Sequence, residues 1–187
     1  MVYIFLATGF EETEALAPCD LLRRAGLEVA LVGVNGIEII GSHKIAVRAD
    51  LPLDAVHLET MDMLVLPGGL RGVESLRASK AALGLIRRAW EAGKFVCAIC
   101  AAPTILAELG IVGTAPAVCY PGKESEMGEA EMRDANVVRS GRLITGRAAG
   151  ASLDFGLALI EALKGREEAE RIAKQIVFCR CKDSSRA

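Results

Sequence analysis

The sequence predicts a doubly wound α/β fold: a mostly parallel sheet with helices on both faces and a small β-hairpin excursion. Three observations point there. Apolar strand-like runs alternate with helical patterns along the chain of 187 residues. The strands are near-continuous aliphatic runs, as strands covered on both faces must be. Glycine or proline stops several of them where the chain must turn.

Residues 2–8 read as a buried strand. Residues 12–25 read as a helix with Leu16, Leu21 and Leu22 on its apolar face, closed by Gly26. Residues 27–34 form a second strand, β-branched at 29, 32 and 34. Asn35-Gly36 and Gly41-Ser42 are turn signals around two short extended pieces, 37–40 and 44–47, which make the hairpin excursion. Residues 61–66 are a third buried strand, stopped by Pro67-Gly68-Gly69. Residues 79–92 are a helix, N-capped by Ser79 and followed by Gly93. Residues 95–99 form the fourth strand and 101–109 the helix after it. A further strand is expected over 115–120, then an acidic loop with a short helix over 122–136. A hairpin follows, 137–139 and 143–145, around Ser140-Gly141. Helices over 150–163 and 166–178 come last, before a polar tail, 182–187, expected to fray. No linker, repeat or low-complexity tract interrupts this order, so one domain, 1–187, is expected.

Hydrophobic residues make up 52% of the chain and aromatics 4%, which asks for an aliphatic core. The net charge of −2 comes from scattered charges of both signs, so no stable nucleic-acid binding is expected. No apolar run approaches the ~18 residues of a membrane span. The apolar start is short, lacks a basic leader and runs into Glu11, Glu12 and Glu14, so it reads as a strand rather than a signal peptide. Six cysteines stand at irregular spacing. A core of this size does not need disulfides, and a reducing cytoplasm is the simplest setting. Cys97-x-x-Cys100 and Cys179-x-Cys181 invite a zinc or dithiol reading. Zinc wants four ligands, only His43 and His57 could complete a set, and Cys97 lies inside a strand. No metal and no cofactor are expected.

Cys100 is the residue that suggests chemistry. Ala98-Ile99-Cys100-Ala101-Ala102 has the small-x-nucleophile-x-small layout of a nucleophile elbow between strand and helix. Small neighbours suit a tight, strained turn, and N–H groups at a helix start favour a thiolate over a thiol. A buried cysteine at a strand end fits the motif equally well. Gly68-Gly69 lets backbone amides approach a bound oxyanion, and with the N–H of Ala101 would form an oxyanion hole; a ligand-free tight turn is the alternative. Glu11 and Glu12 are ordinary partners of a helix N-terminus. Glu14, a turn further in, is placed to tilt toward the third and fourth strand ends, as a general acid/base or as the partner of an oxidised cysteine. All these features fall at the carboxyl edge of the strands, where open α/β sheets bind ligands.

Glu11-Glu12-Thr13-Glu14, residues 20–26 (DLLRRAG), 64–69 (LVLPGG), 98–104 (AICAAPT) and 154–158 (DFGLA) together resemble the ThiJ/PfpI superfamily, in the branch of the Parkinson-disease-associated protein deglycases and YajL-like proteins. The pieces keep their order and spacing over nearly the whole chain. The resemblance implies a flavodoxin-like fold, a homodimer, Cys100 as the reactive cysteine, Glu14 as its carboxylate partner, and Gly69 and Ala101 as oxyanion-hole amides. It implies a cofactor-independent glyoxalase or deglycase acting on small reactive carbonyls or on glycated proteins and nucleotides. A redox-sensing chaperone, its Cys100 oxidised to sulfinate, is the alternative, and a cysteine peptidase a more distant one. One departure stands out. Several members place a histidine in the segment matching 118–121, and here Tyr120 takes that slot. A Cys–His pair is therefore not expected, acid/base work falls to Glu14, and Tyr120 reads as a wall of the pocket.

Overall fold

A computed structural model of the chain describes residues 1–179. The tail expected to fray and Cys181 lie outside the described residues. The elements run β1 (Val2–Leu6), α1 (Glu12–Arg24), β2 (Val29–Gly33), β3 (Glu38–Ile40), β4 (Ala46–Arg48), β5 (Leu51–Pro52), β6 (Met63–Leu66), α2 (Leu70–Ala78), α3 (Lys80–Glu91), β7 (Phe95–Ile99), α4 (Pro103–Glu108), β8 (Pro116–Ala117), β9 (Glu131–Met132), β10 (Val137–Ser140), β11 (Leu143–Gly146), α5 (Ser152–Lys164) and α6 (Arg166–Gln175).

The main sheet has seven strands in the order β10-β11-β7-β6-β1-β2-β5. All neighbours are parallel except β10 and β11. The central strands β1 and β6 are buried throughout, which explains their unbroken aliphatic sequences. From β1 the chain crosses to β2 in one direction, and from β6 to β7 in the other. Right-handed crossovers then put α1 and the α2–α3 pair on opposite faces. Helix α5 packs on α1, and that approach requires glycine at 156. A Cβ there would lie 2.7 Å from Leu21 Cδ1 and 3.1 Å from Pro18 Cα.

The expected α/β architecture and the separate β3–β4 hairpin are present. Ser79 caps α3 as read, its Oγ accepting the Ala82 N–H at 3.2 Å. Four details differ. Residues 70–78, to which the sequence reading assigns no element, form a helix, because Gly69 (φ +87) turns the chain into it and Val73 and Leu76 bury beneath it. The strand expected over 115–120 shrinks to Pro116–Ala117 and pairs with β9, outside the main sheet. Prolines 116 and 121 have no N–H for a ladder. Between them the Val118 N–H goes to Thr145 Oγ1 at 2.9 Å, and the Tyr120 N–H to the Cys100 carbonyl at 2.7 Å. The two-residue β5 is too short to show a pattern. Leu16, read as core, is exposed, while α1 buries Ala15, Pro18, Cys19, Leu21 and Leu22. No helix among the described residues is long and apolar enough to cross a membrane.

Strand order reverses at the β1/β6 boundary, so the loops after these two strands splay apart there and open a crevice. The loop after β1 leads to Glu14, the loop after β6 carries Gly68 and Gly69, and β7 beside them runs directly into Cys100.

Candidate active site

The turn into α1 sets the site. Glu11 is the N-cap, and its Oε2 accepts the Glu14 N–H at 2.7 Å. In an ordinary capping box the glutamate three residues on reaches back to the N-cap N–H. Here the Gly68 carbonyl already takes the Glu11 N–H, at 3.0 Å. The Glu14 side chain is thereby released and turns into the protein. It is completely buried, and its Oε2 accepts the Gly68 N–H at 2.8 Å. Oε1 has no well-formed hydrogen bond; the Cys100 thiol is the side-chain partner that the carboxyl meets.

Cys100 has φ +66, a left-handed conformation uncommon outside glycine. Its N–H donates to the Gly146 carbonyl at 2.9 Å, and its carbonyl accepts the Tyr120 N–H at 2.7 Å. The end of β11 and the 118–120 segment thus hold the backbone in its strained form. The residue is 9% exposed, and the backbone amides of Gly69 and Ala101 favour a charge on its sulfur. Glycine at 68 lets thiol and carboxyl meet: a Cβ there would lie 2.7 Å from Cys100 Cβ and 2.8 Å from Glu14 Oε2.

The electrostatics correct one expectation. The two amides do favour the thiolate, but burial and then Glu14 outweigh them, and the Cys100 thiol is pushed up to about 12. Burial likewise raises the Glu14 carboxyl to about 7, against the stabilising hydrogen bonds of Cys100 and Gly68. Each group's charge opposes the other's ionisation, so the pair holds one proton between them over a wide pH range. The proton rests either on sulfur beside a carboxylate or on the carboxyl beside a thiolate. Only the second arrangement is nucleophilic.

Of the sequence-predicted residues, Cys100, Glu14, Gly68, Gly69 and Ala101 come together in the crevice. Tyr120 joins through its backbone, with its side chain 45% exposed. Two surface grooves lie elsewhere, one along α3 and β5 and one beside α5. Sequence reasoning missed the role of Glu12. It is buried and binds the β3–β4 turn: Oε1 accepts the His43 N–H at 2.8 Å, and Oε2 lies 2.9 Å from His43 Nδ1 and accepts from Ser42 Oγ at 3.1 Å. Against the cost of burial, these bonds keep Glu12 below the usual carboxylate range, while the hydrogen bond to Glu12 raises His43. Gly41 was the available signal, since a Cβ there would lie 2.2 Å from Glu12 Oε1. Donor atoms of Glu11, Glu12 and His43 lie within 4.8 Å of one another, the arrangement nearest to a metal set among the described residues, but Glu12 already engages the imidazole. Cys97 is sealed inside β7, where burial raises its thiol, and Cys179 is exposed.

The model of the DJ-1/PfpI family matches residues 1–162. The chain belongs to that family. Within it, the chain is 35% identical over 177 residues to Protein dj-1beta of Drosophila melanogaster, covering 93% of this chain and 95% of the relative. It is 36% identical over 150 residues to Deglycase PH1704 of Pyrococcus horikoshii, covering 79% and 90%. The crystal structure of Drosophila DJ-1beta superposes with a TM-score of 0.91 at 34% identity, covering 96% of this chain and 98% of that one. An oxidized Toxoplasma gondii DJ-1 gives 0.91 at 32% identity with the same coverage. The flavodoxin-like doubly wound fold is that of the family.

Proposed function

We propose that the chain is a cofactor-independent glyoxalase or deglycase that uses Cys100 and Glu14 on small reactive carbonyls or their adducts. The observation that carries this is a buried carboxyl titrating near neutrality against a strained cysteine whose sulfur meets two backbone amides. The name of the Pyrococcus relative agrees with it.

For methylglyoxal, the Cys100 thiolate adds to the aldehyde carbon, and its oxygen takes a proton to give a hemithioacetal beside the Gly69 and Ala101 amides. Glu14, as carboxylate, removes the proton from that carbon, leaving an enediol. It returns the proton to the neighbouring carbon, giving a lactoyl thioester on Cys100. Water hydrolyses the thioester, releasing lactate and the thiol. No electrons leave the substrate, so no redox cofactor is needed. Purified protein with methylglyoxal is expected to accumulate lactate, and Cys100→Ser to give none above the uncatalysed rate. Equal lactate from both proteins would refute the assignment.

A second reading, a redox sensor with chaperone behaviour, is favoured by the same buried carboxyl. Two equivalents of peroxide would take the thiolate to a sulfinate with release of two waters, and a protonated Glu14 would hydrogen-bond the product. Mass spectrometry after mild peroxide reads it as two added oxygens on Cys100. A homodimer completes the proposal, supported by the exposed apolar side chains Leu16, Ile40 and Ile45 on α1 and the β3–β4 hairpin; the cytoplasm is its proposed setting.

A further inference from the structure

We propose that Glu11 is a positioning residue that shifts the shared proton toward Glu14 and so raises the fraction of Cys100 present as thiolate. The inference rests on the Cys100–Glu14 reading above and adds a third member to that pair.

Glu11 is tied to the site from both ends. Its N–H is held by the Gly68 carbonyl at 3.0 Å, and its Oε2 receives the Glu14 N–H at 2.7 Å. The peptide it binds belongs to the residue whose side chain meets the thiol. Its side chain is only 15% exposed, so water screens its charge poorly. Gly69 presses on the same turn, since a Cβ there would lie 2.8 Å from the Glu11 nitrogen. The carboxylate therefore cannot swing away without dismantling the cap.

The Glu11 carboxylate lies against Glu14, whose N–H it accepts at 2.7 Å. Glu11 is among the groups that hinder ionisation of Glu14, after burial and against the hydrogen bonds of Cys100 and Gly68. Cys100 is governed by burial, by Glu14, and by the Gly69 and Ala101 amides. A negative charge that presses on one member of a proton-sharing pair moves the proton toward that member. His43 Nδ1 lies 2.9 Å from Glu12 and 3.9 Å from Glu11, so its imidazolium offsets Glu12 closely and Glu11 at longer range.

The test separates charge from capping. Glu11→Gln keeps a side-chain oxygen for the Glu14 N–H and removes the charge. The readout is alkylation of Cys100 by iodoacetamide across pH, followed by mass spectrometry, which needs no catalytic turnover. Near pH 7 alkylation of Glu11→Gln is expected to slow roughly three- to tenfold, the effect of half to one pKa unit on the thiolate population. Above pH 12 the two proteins should react alike, and the melting temperature should match wild type. In a Glu14→Gln background the same change should have no effect. Unchanged alkylation in Glu11→Gln, or an equal slowing with and without Glu14, overturns the proposal. Absence of lactate from the wild type would refute the glyoxalase reading and leave this result standing.

Discussion

Glu14→Gln is expected to stabilise the folded protein at pH 8 while removing turnover. Burial raises the folded carboxyl from 4.5 to about 7. Between those values the native state holds a proton that the unfolded chain has released, so stability falls as pH rises through the window and stays reduced above it. Glutamine keeps an acceptor for the Gly68 N–H and carries no charge to desolvate. The gain at pH 8 should be on the order of 1–3 kcal/mol, shrinking toward zero near pH 4.5. Urea unfolding at the two pH values measures it. The same variant should lose about 100-fold or more in kcat for methylglyoxal, the usual scale for removing a general acid/base. A destabilised variant at pH 8 would show that the carboxylate's contacts outweigh its burial.

Gly69→Ala should be the most damaging single change in the crevice. The residue has φ +87, where side chains are strained, and the new Cβ would lie 2.4 Å from the Gly9 carbonyl oxygen, 2.8 Å from the Glu11 nitrogen and 2.9 Å from the Phe10 carbonyl carbon. All three are backbone atoms of the turn into α1, so no rotamer change relieves the overlap. Overpacking of 1–3 kcal/mol adds to the cost of the dihedral. The expected loss is about 3 kcal/mol in urea unfolding, with lost alkylation of Cys100 at neutral pH because the amide leaves the sulfur. Near-wild-type stability would mean that the two loops are not locked together.

Much of this was legible in the sequence because it is local. The elbow around Cys100 reads from its small neighbours, and the aliphatic strands read from their composition. Helix α2 hid because its nine residues follow Pro67-Gly68-Gly69 and include Gly72, which look like loop until the partners of Val73 and Leu76 are known. The thiol's ionisation could not be read either. The amides at the turn argue for a low value, and the raised one comes from burial and from Glu14, which lies 86 positions away along the chain. The Glu12–His43 link is likewise made only when the β3–β4 hairpin folds back onto α1.

The central claim is that Glu14 carries a proton from one substrate carbon to the next. Turnover of methylglyoxal in deuterium oxide tests it directly. A carboxyl that exchanges its proton with solvent should give lactate carrying deuterium on the carbon beside the carboxylate. Lactate with no deuterium there, together with turnover that survives Glu14→Gln, would mean direct hydride migration and would contradict the role given to Glu14.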